Sequence, residues 1–142
     1  PKTNVILSRS ELASEEVAGR LGLKAKEKVF KLVRLRYVDD LPNVFVESYI
    51  PCALYPGLDK FDFNNKSLYA AMEECGEPVT NAKRRFEAIK AEGATVALLD
   101  VEDGDPLILF HTIGYDAQGR AVEYSIARYR GASNSFEIYV TR

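Results

Sequence analysis

Residues 31–51 have the sequence KLVRLRYVDDLPNVFVESYIP, which predicts two β-strands joined by a short polar turn. Alternate side chains of a strand share a face, so Leu32, Arg34 and Arg36 are expected to point the same way. Two arginines about 7 Å apart among apolar neighbours are costly unless an anion or a carboxylate compensates their charge. The hairpin therefore predicts a sheet face that either contains an ion pair or binds an anion.

The returning strand offers a carboxylate for the ion-pair alternative. If residues 39–42 form a four-residue loop, Arg34 lies opposite Glu47, and a slip of two residues keeps Glu47 on the arginine face. A cross-strand Arg34–Glu47 pair would stabilise the hairpin by a few tenths of a kcal/mol to about 1 kcal/mol. In the other alternative, both cations and the carboxylate form the floor of a pocket for an anionic, hydroxyl-bearing ligand. The pattern alone leaves both alternatives open.

Size and composition are those of one globular domain. The chain has 142 residues, of which 46% are hydrophobic and 28% are charged, and its formal net charge is −2. It therefore lacks the basic footprint of a nucleic-acid binder. Cys52 and Cys75 make neither a disulfide framework nor a metal site, and no apolar run approaches a membrane span. We expect a cytoplasmic domain without a membrane partner, and the first residue, Pro1, suggests a piece of a longer protein.

The remaining segments predict an α+β fold. Short helices are expected at residues 14–22, with Ser14 as the N-cap and Gly22 as the left-handed stop, and at residues 67–75 and 93–99. Further strands are expected at residues 3–9, 79–91, 106–115, 121–130 and 136–141. A faint internal repeat of helix, strand, turn and glutamate relates Glu47 to Glu123. We expect two hairpins in one sheet with the helices on one side.

Few residues offer reaction chemistry. His111, the only histidine, lies in an apolar strand and is expected to be a packed core residue rather than a base. No nucleophile motif, phosphate-cradling loop or metal-ligand spacing is evident, so we expect no catalytic residue, no metal and no cofactor. The basic cluster at residues 83–85 is explained more simply by a solvated strand face than by a nucleic-acid patch. Ser67 either caps the second helix or binds an anion at its start.

Several short motifs lie in a characteristic order along nearly the whole chain. They are LGL at 21–23, RLR at 34–36, Pro42, ESYIP at 47–51, SLY at 67–69, DPL at 105–107 and VEYS at 122–125. Together they resemble the UTRA domain, the effector-binding half of HutC-type regulators in the GntR family. The sequence departs from this pattern in one place, since residues 39–42 are DDLP where many relatives have an Asp-Gly turn. This departure alters the hairpin tip and leaves the pocket residues in place.

The resemblance implies a fold, an assembly and a set of ligand-binding residues. The fold would be α+β and chorismate-lyase-like, with a mostly antiparallel six-stranded sheet and helices packed on it. Residues 1–142 would form a single ligand-binding and dimerisation domain, and operator DNA would be bound only through an N-terminal winged helix that this chain lacks. Relatives that sense phosphorylated amino sugars hold the phosphate with an arginine pair and a serine, and the sugar with two acids and a tyrosine. These roles fall on Arg34, Arg36 and Ser67, and on Glu47, Glu123 and Tyr129.

The sequence therefore predicts the effector-sensing domain of a bacterial transcription regulator, a homodimer that is not an enzyme. Its effector would be a small anionic metabolite, with a phosphorylated sugar or amino sugar as the leading candidate. The alternative is a chorismate-lyase-like enzyme acting on a small carboxylate, because that enzyme shares the fold and works with arginine and glutamate without a nucleophile. A third alternative is a dimerisation module whose pocket has decayed.

Overall fold

The computed structural model describes residues 2–142 as one antiparallel sheet with three short helices. Six strands and three helices follow one another as β1 (Lys2–Leu12), α1 (Glu15–Leu21), β2 (Lys28–Val38), β3 (Leu41–Pro51), α2 (Leu68–Glu74), β4 (Asn81–Lys90), α3 (Ala94–Leu98), β5 (Pro106–Tyr115) and β6 (Ala121–Arg130). This confirms the predicted α+β class and the six-stranded sheet. Among the described residues, no helix is long and apolar enough to cross a membrane.

The strands are arranged in the order β1-β2-β3-β6-β5-β4. Two halves, β1-β2-β3 and β6-β5-β4, meet where β3 pairs with β6 through residues 44–49 and 124–129. We call this ladder the central seam. Strands β1 and β4 form the two edges of the sheet. Residues at the same level of the sheet are therefore contributed by segments far apart in the sequence.

The β2–β3 hairpin differs from its prediction in both turn and register. Its turn contains only Asp39 and Asp40, both with positive φ (51° and 63°), rather than four residues. Tyr37 pairs with Pro42, but Arg36 pairs with Val44, so one residue of β3 bulges out of the ladder. An odd shift of register moves every later side chain to the other face. The predicted register is therefore wrong, and Arg34 lies opposite Val46.

Both faces of the sheet are covered by helices, which contradicts the expected one-sided arrangement. We call the face that carries Arg34 and Arg36 the front face and the other the back face. Helix α2 packs on the front face, where Met72 joins the buried cluster of Phe30 and Leu32. Helices α1 and α3 cover the back face, because strand side chains on that side are also apolar and need to be buried. The back-face clusters contain Val17, Leu21, Val29, Tyr49 and Tyr124 around α1, and Leu35, Ala91, Leu99 and Leu107 around α3.

The predicted helix caps are confirmed. Ser14 accepts a hydrogen bond from the Val17 amide at 3.2 Å, and Gly22 ends α1 in the left-handed conformation with φ 64°. Ser67 caps α2 by accepting a hydrogen bond from the Ala70 amide at 3.1 Å. These local signals fix where α2 begins, which matters because its first residues border the site described below.

The predicted last strand at residues 136–141 is wrong. These residues lie outside any ladder, and the sixth strand of the sheet is β1 at the start of the chain. Asn134 directs the chain away from β6, since its side-chain amide donates both to Asn43 Oδ1 and to the Arg130 carbonyl, each at 2.8 Å. Phe136 then packs against Phe110, with ring centroids 4.5 Å apart.

Candidate functional site

Arg34 and Arg36 lie on the front face without a carboxylate partner among the ion pairs of the described residues. Arg34 Nη2 donates a hydrogen bond to Ser48 Oγ at 3.3 Å, whereas its Nε is buried and has no hydrogen-bond partner. Burial lowers the pKa of Arg34; Glu123 opposes this shift and Arg36 adds to it. A buried donor on a cation is costly when it is unsatisfied, so this site favours an anionic acceptor.

Glu47 does not belong to this group of residues. It lies opposite Val33, on the back face, where its Oε1 accepts a hydrogen bond from Arg128 Nη1 at 2.7 Å. The expected Arg34–Glu47 pair is therefore wrong, because the bulge in β3 reverses the face on which Glu47 lies. The repeat that related Glu47 to Glu123 fails at the same point, since the two carboxylates lie on opposite faces of the sheet.

Ser67 and Tyr69, at the start of α2, reach the front face from above the sheet. Ser67 lines the same pocket as Arg34 and Arg36 while it caps the helix. Ser67 can therefore both cap the helix and border an anion site, because its oxygen accepts the Ala70 amide while the hydroxyl still lines the cavity. The Tyr69 hydroxyl donates a hydrogen bond to Glu123 Oε1 at 2.8 Å.

Glu123 is the buried acid of the site. Only 2% of it is exposed, and burial raises the pKa of its carboxyl, against the opposing effects of its hydrogen bonds to Tyr69 and Ser125 and of the charge on Arg34. Gly114, its neighbour on β5, provides the space for this carboxyl. A Cβ at Gly114 would lie 3.2 Å from Glu123 Oε1 and 3.5 Å from the Tyr69 hydroxyl oxygen. A larger residue at this position would therefore crowd the acid and the tyrosine.

These side chains border one cavity of about 370 Å³, which we call the front pocket. Its floor contains a row of hydroxyl groups from Ser125 and Thr112, which pair across the sheet. One wall is aromatic, since Phe110 and Tyr129 pack with their ring centroids 5.0 Å apart. The lining residues are Arg34, Arg36, Val46, Ser67, Leu68, Tyr69, Arg84, Phe110, Thr112, Glu123, Ser125, Ala127 and Tyr129.

A second, larger cleft of about 620 Å³ adjoins the front pocket and shares Arg34, Arg36 and Ser67 with it. Its other side is formed by the start of β1 and by the loop that precedes α2. The Asn64 side chain connects these two segments by accepting a hydrogen bond from the Val5 amide at 2.9 Å. The arginine pair therefore lies between two polar cavities and borders both of them.

The structure brings five of the six predicted ligand-binding residues to the front pocket, namely Arg34, Arg36, Ser67, Glu123 and Tyr129, and leaves out Glu47. Sequence reasoning missed Tyr69 and Arg84. The signal for Tyr69 was its place two residues after Ser67 in the SLY motif. The signal for Arg84 was the alternation of β4, which separates it from Lys83 and Arg85.

The back face has a polar cluster of its own around His111. His111 Nδ1 lies 3.2 Å from the Tyr124 hydroxyl, which donates a hydrogen bond to Glu16 Oε1 at 3.0 Å. Burial lowers the pKa of His111. The cluster ties α1 to the sheet, in line with the expected packing role of this histidine. Within residues 2–142, no group of three His, Cys, Asp or Glu side chains is placed to hold a metal ion.

Sequence comparisons relate the chain to bacterial transcription regulators. The sequence model of the UTRA domain matches residues 1–134. The HTH-type transcriptional repressor NagR of Bacillus subtilis is 29% identical over 131 residues, which are 92% of this chain and 54% of the relative. The histidine utilization repressor of Pseudomonas aeruginosa is 32% identical over 108 residues, 76% of this chain and 43% of the relative. The chain thus spans about half the length of the curated relatives it matches.

Solved structures with the same fold come from regulators as well. The effector domain of PhnF from Mycobacterium smegmatis superposes with a TM-score of 0.92 at 24% identity, covering 99% of this chain and 87% of that domain. The ligand-binding domain of a proposed GntR-family transcriptional regulator from Bordetella bronchiseptica gives a TM-score of 0.92 at 25% identity, covering 98% and 91%. The fold is therefore shared over nearly the whole of this chain.

Proposed function

Since the chain belongs to the UTRA domain family of GntR-type, HutC-like regulators, we propose that it senses a small anionic effector, with a phosphorylated sugar or amino sugar as the leading candidate. The effector would occupy the front pocket. Its charged group would lie against Arg34, Arg36 and Ser67, and its hydroxyl groups would contact Glu123 and Tyr129.

The single observation that carries this proposal is the unpaired state of the arginine pair. Other arginines of the described chain, such as Arg120 and Arg128, have carboxylate partners within 3.2 Å. Arg34 and Arg36 instead share one face of β2, and the buried Nε of Arg34 has no acceptor. Guanidinium groups present donors in a planar fork that matches phosphate oxygens, so a phosphate would satisfy both charge and hydrogen bonding there.

The floor of the pocket supports a hydroxyl-rich ligand beyond the phosphate. Ser125, Thr112 and Glu123 provide donors and acceptors at a buried surface, where unsatisfied polar groups are costly. Tyr129, on the aromatic wall, offers a ring face for the apolar side of a sugar. An apolar effector would bind weakly, because it would leave these buried polar groups without hydrogen-bond partners.

The regulatory part of the proposal rests on the relatives. They are named as repressors and regulators, and each is about twice as long as the matched segment, so operator binding would belong to the part of them that lies outside this match. We expect the chain to form a homodimer in the cytoplasm. The effector would shift the population of dimer arrangements by binding one of them more tightly than the other. The relatives' names also favour a sensor over an enzyme.

Anion-dependent thermal stability tests the proposal. Phosphate, sulfate and glucosamine 6-phosphate should raise the melting temperature of the wild type, since a ligand at 100 times its Kd stabilises by about 2.7 kcal/mol. Arg34→Ala and Arg36→Ala should abolish the shift while remaining folded. Arg85→Ala is the matched control, because this exposed arginine lies on the back face and pairs with Glu87 at 3.0 Å.

A second pair of variants separates the two roles of Ser67. Ser67→Ala and Ser14→Ala each remove a helix cap and should each cost about 1 kcal/mol of stability. Only Ser67→Ala should also weaken the phosphate-dependent shift. If the wild type responds to none of these anions and both arginine variants unfold, the arginine pair is structural and the proposed function is wrong. Turnover of chorismate by the wild type would instead favour the lyase alternative.

A further inference from the structure

Strand β4 places one arginine of its basic cluster in the front pocket. Lys83 and Arg85 lie opposite Ile113 and His111 on the back face, whereas Arg84 lies opposite Thr112 on the front face. Arg85 is neutralised by Glu87, but Arg84 has no carboxylate partner among the ion pairs of residues 2–142. The Arg84 guanidinium carbon lies 6.0 Å from the centroid of the Phe110 ring. Its charge is therefore held at the aromatic wall of the pocket rather than paired.

Arg84 lies at the opposite end of the pocket from the arginine pair. Arg34 is on β2 and Arg84 is on β4, so four strand spacings of about 4.8 Å, or about 19 Å, separate their backbones. Both side chains line the same cavity. The hydroxyl groups of Ser125 and Thr112 lie on the strands between them. The pocket thus has two cationic ends with hydroxyl groups between them.

Glu123 does not explain the charge of Arg84. Its carboxyl already accepts a hydrogen bond from Tyr69 and is almost fully buried at the floor of the pocket. Glu123 forms no ion pair with Arg84 among residues 2–142. The exposed Arg84 guanidinium can therefore bind an anionic group that enters the pocket.

We propose that the effector carries two separated anionic groups, a phosphate bound at Arg34, Arg36 and Ser67 and a carboxylate bound at Arg84. The class of ligand that fits is a phosphorylated sugar acid, whose hydroxyl groups would lie over Ser125 and Thr112. Arg84 is then the residue that selects this class over phosphorylated sugars that lack a carboxylate. The inference rests on the proposed function, because it requires the phosphate end of the same pocket.

Calorimetric titration with matched ligand pairs tests the inference. 6-Phosphogluconate should bind the wild type at least tenfold more tightly than glucose 6-phosphate, which lacks the carboxylate. 3-Phosphoglycerate should gain little over glycerol 3-phosphate, because a three-carbon acid is too short to span the pocket. Arg84→Met keeps an unbranched apolar stem against Phe110 and removes the charge, so it should abolish the preference while glucose 6-phosphate still binds. Arg85→Met, on the same strand and the opposite face, should retain the preference.

The outcomes distinguish this inference from the proposed function on which it rests. If sugar phosphates bind and require Arg34 and Arg36, but the carboxylate brings no gain or Arg84→Met weakens both ligands equally, the second anionic end is refuted and the sensor remains. If Arg84→Met retains the preference, another residue binds the carboxylate and the assignment is wrong. If inorganic phosphate and all four ligands fail to bind, both proposals are refuted.

Discussion

Replacing Gly114 with alanine should weaken both the fold and the binding of the effector. The new methyl carbon would lie 3.1 Å from Val79 Cγ1 and 3.2 Å from Glu123 Oε1. The Val79 side chain is only partly buried, whereas the Glu123 carboxyl is enclosed and hydrogen-bonded to Tyr69. The carboxyl would therefore have to move, and its hydrogen bond would lengthen.

The expected size of the effect follows from two opposing contributions. Overpacking of a buried site costs about 1–3 kcal/mol. Replacing glycine with alanine where the backbone permits it returns about 0.4–1 kcal/mol through the unfolded chain, and the φ of Gly114 is not in the left-handed range. The net loss should be about 1–2 kcal/mol, or a decrease in melting temperature of several degrees for a domain of this size. Affinity for a sugar phosphate should fall as well, because Glu123 and Tyr69 are displaced together.

Urea denaturation and calorimetric titration of the same variants would measure both effects. Gly19→Ala is the control, since nothing lies within 4 Å of a Cβ at this position of α1 and alanine is favoured within a helix. It should be neutral or slightly stabilising and leave ligand affinity unchanged. A Gly114→Ala variant as stable as the wild type, with unchanged affinity, would refute the idea that this glycine makes room for the acid.

Three further predictions concern Glu47, Glu123 and the assembly of the chain. Glu47→Gln should lower the free energy of unfolding by at most about 1 kcal/mol in urea titrations, because the ion pair of Glu47 with Arg128 is partly exposed. It should leave effector affinity unchanged, because this pair lies on the back face, and a large loss of affinity would contradict that placement. Because burial raises the pKa of Glu123, its contribution to stability is greatest below its unfolded pKa and is lost as pH rises through its folded pKa. Glu123→Gln should therefore gain stability relative to the wild type as the pH is raised from 4 to 7.5. A parallel pH dependence of the two proteins would show that Glu123 titrates normally. The chain alone should have the mass of a dimer in light scattering, and a monomer mass at tens of micromolar would contradict this. It should not slow the migration of duplex DNA in a gel at physiological salt, and sequence-selective DNA binding would contradict the proposed division of roles.

The local elements of the fold could be predicted from the sequence, because their signals lie within a few residues. The helix caps at Ser14 and Ser67 and the limits of β5 and β6 agree with the alternation and capping patterns. The register of the β2–β3 hairpin could not be predicted in the same way. The turn of Asp39 and Asp40 alone would have kept Glu47 on the arginine face, and the extra residue in β3 reversed it. That residue, Asn43, is held by Asn134, a contact over 91 positions that no local pattern shows.

The site could be predicted only in part for the same reason. The arginine pair was visible because both members belong to one strand, Ser67 because it begins a helix, and Glu123 through the faint repeat; the family resemblance then gave each of them, and Tyr129, a role. The bond between Tyr69 and Glu123 joins residues 54 positions apart and depends on the packing of α2 over the sheet. The interpretation of residues 83–85 as a solvated strand face agrees with their exposure, but only the pairing of β4 with β5 shows that Arg84 also lines a cavity.

The central seam has a consequence for the kinetics of the domain. The two halves of the sheet are connected by the ladder of residues 44–49 with 124–129, which is shorter than the ladders within each half. A ligand bound as proposed, by Arg34 on one half and by Glu123 and Arg84 on the other, would bridge this ladder. If the ladder opens by separation of the halves, amide hydrogen exchange along the seam should slow as effector occupancy rises, even at amides that no ligand atom touches. The seam would then report effector binding without a labelled ligand.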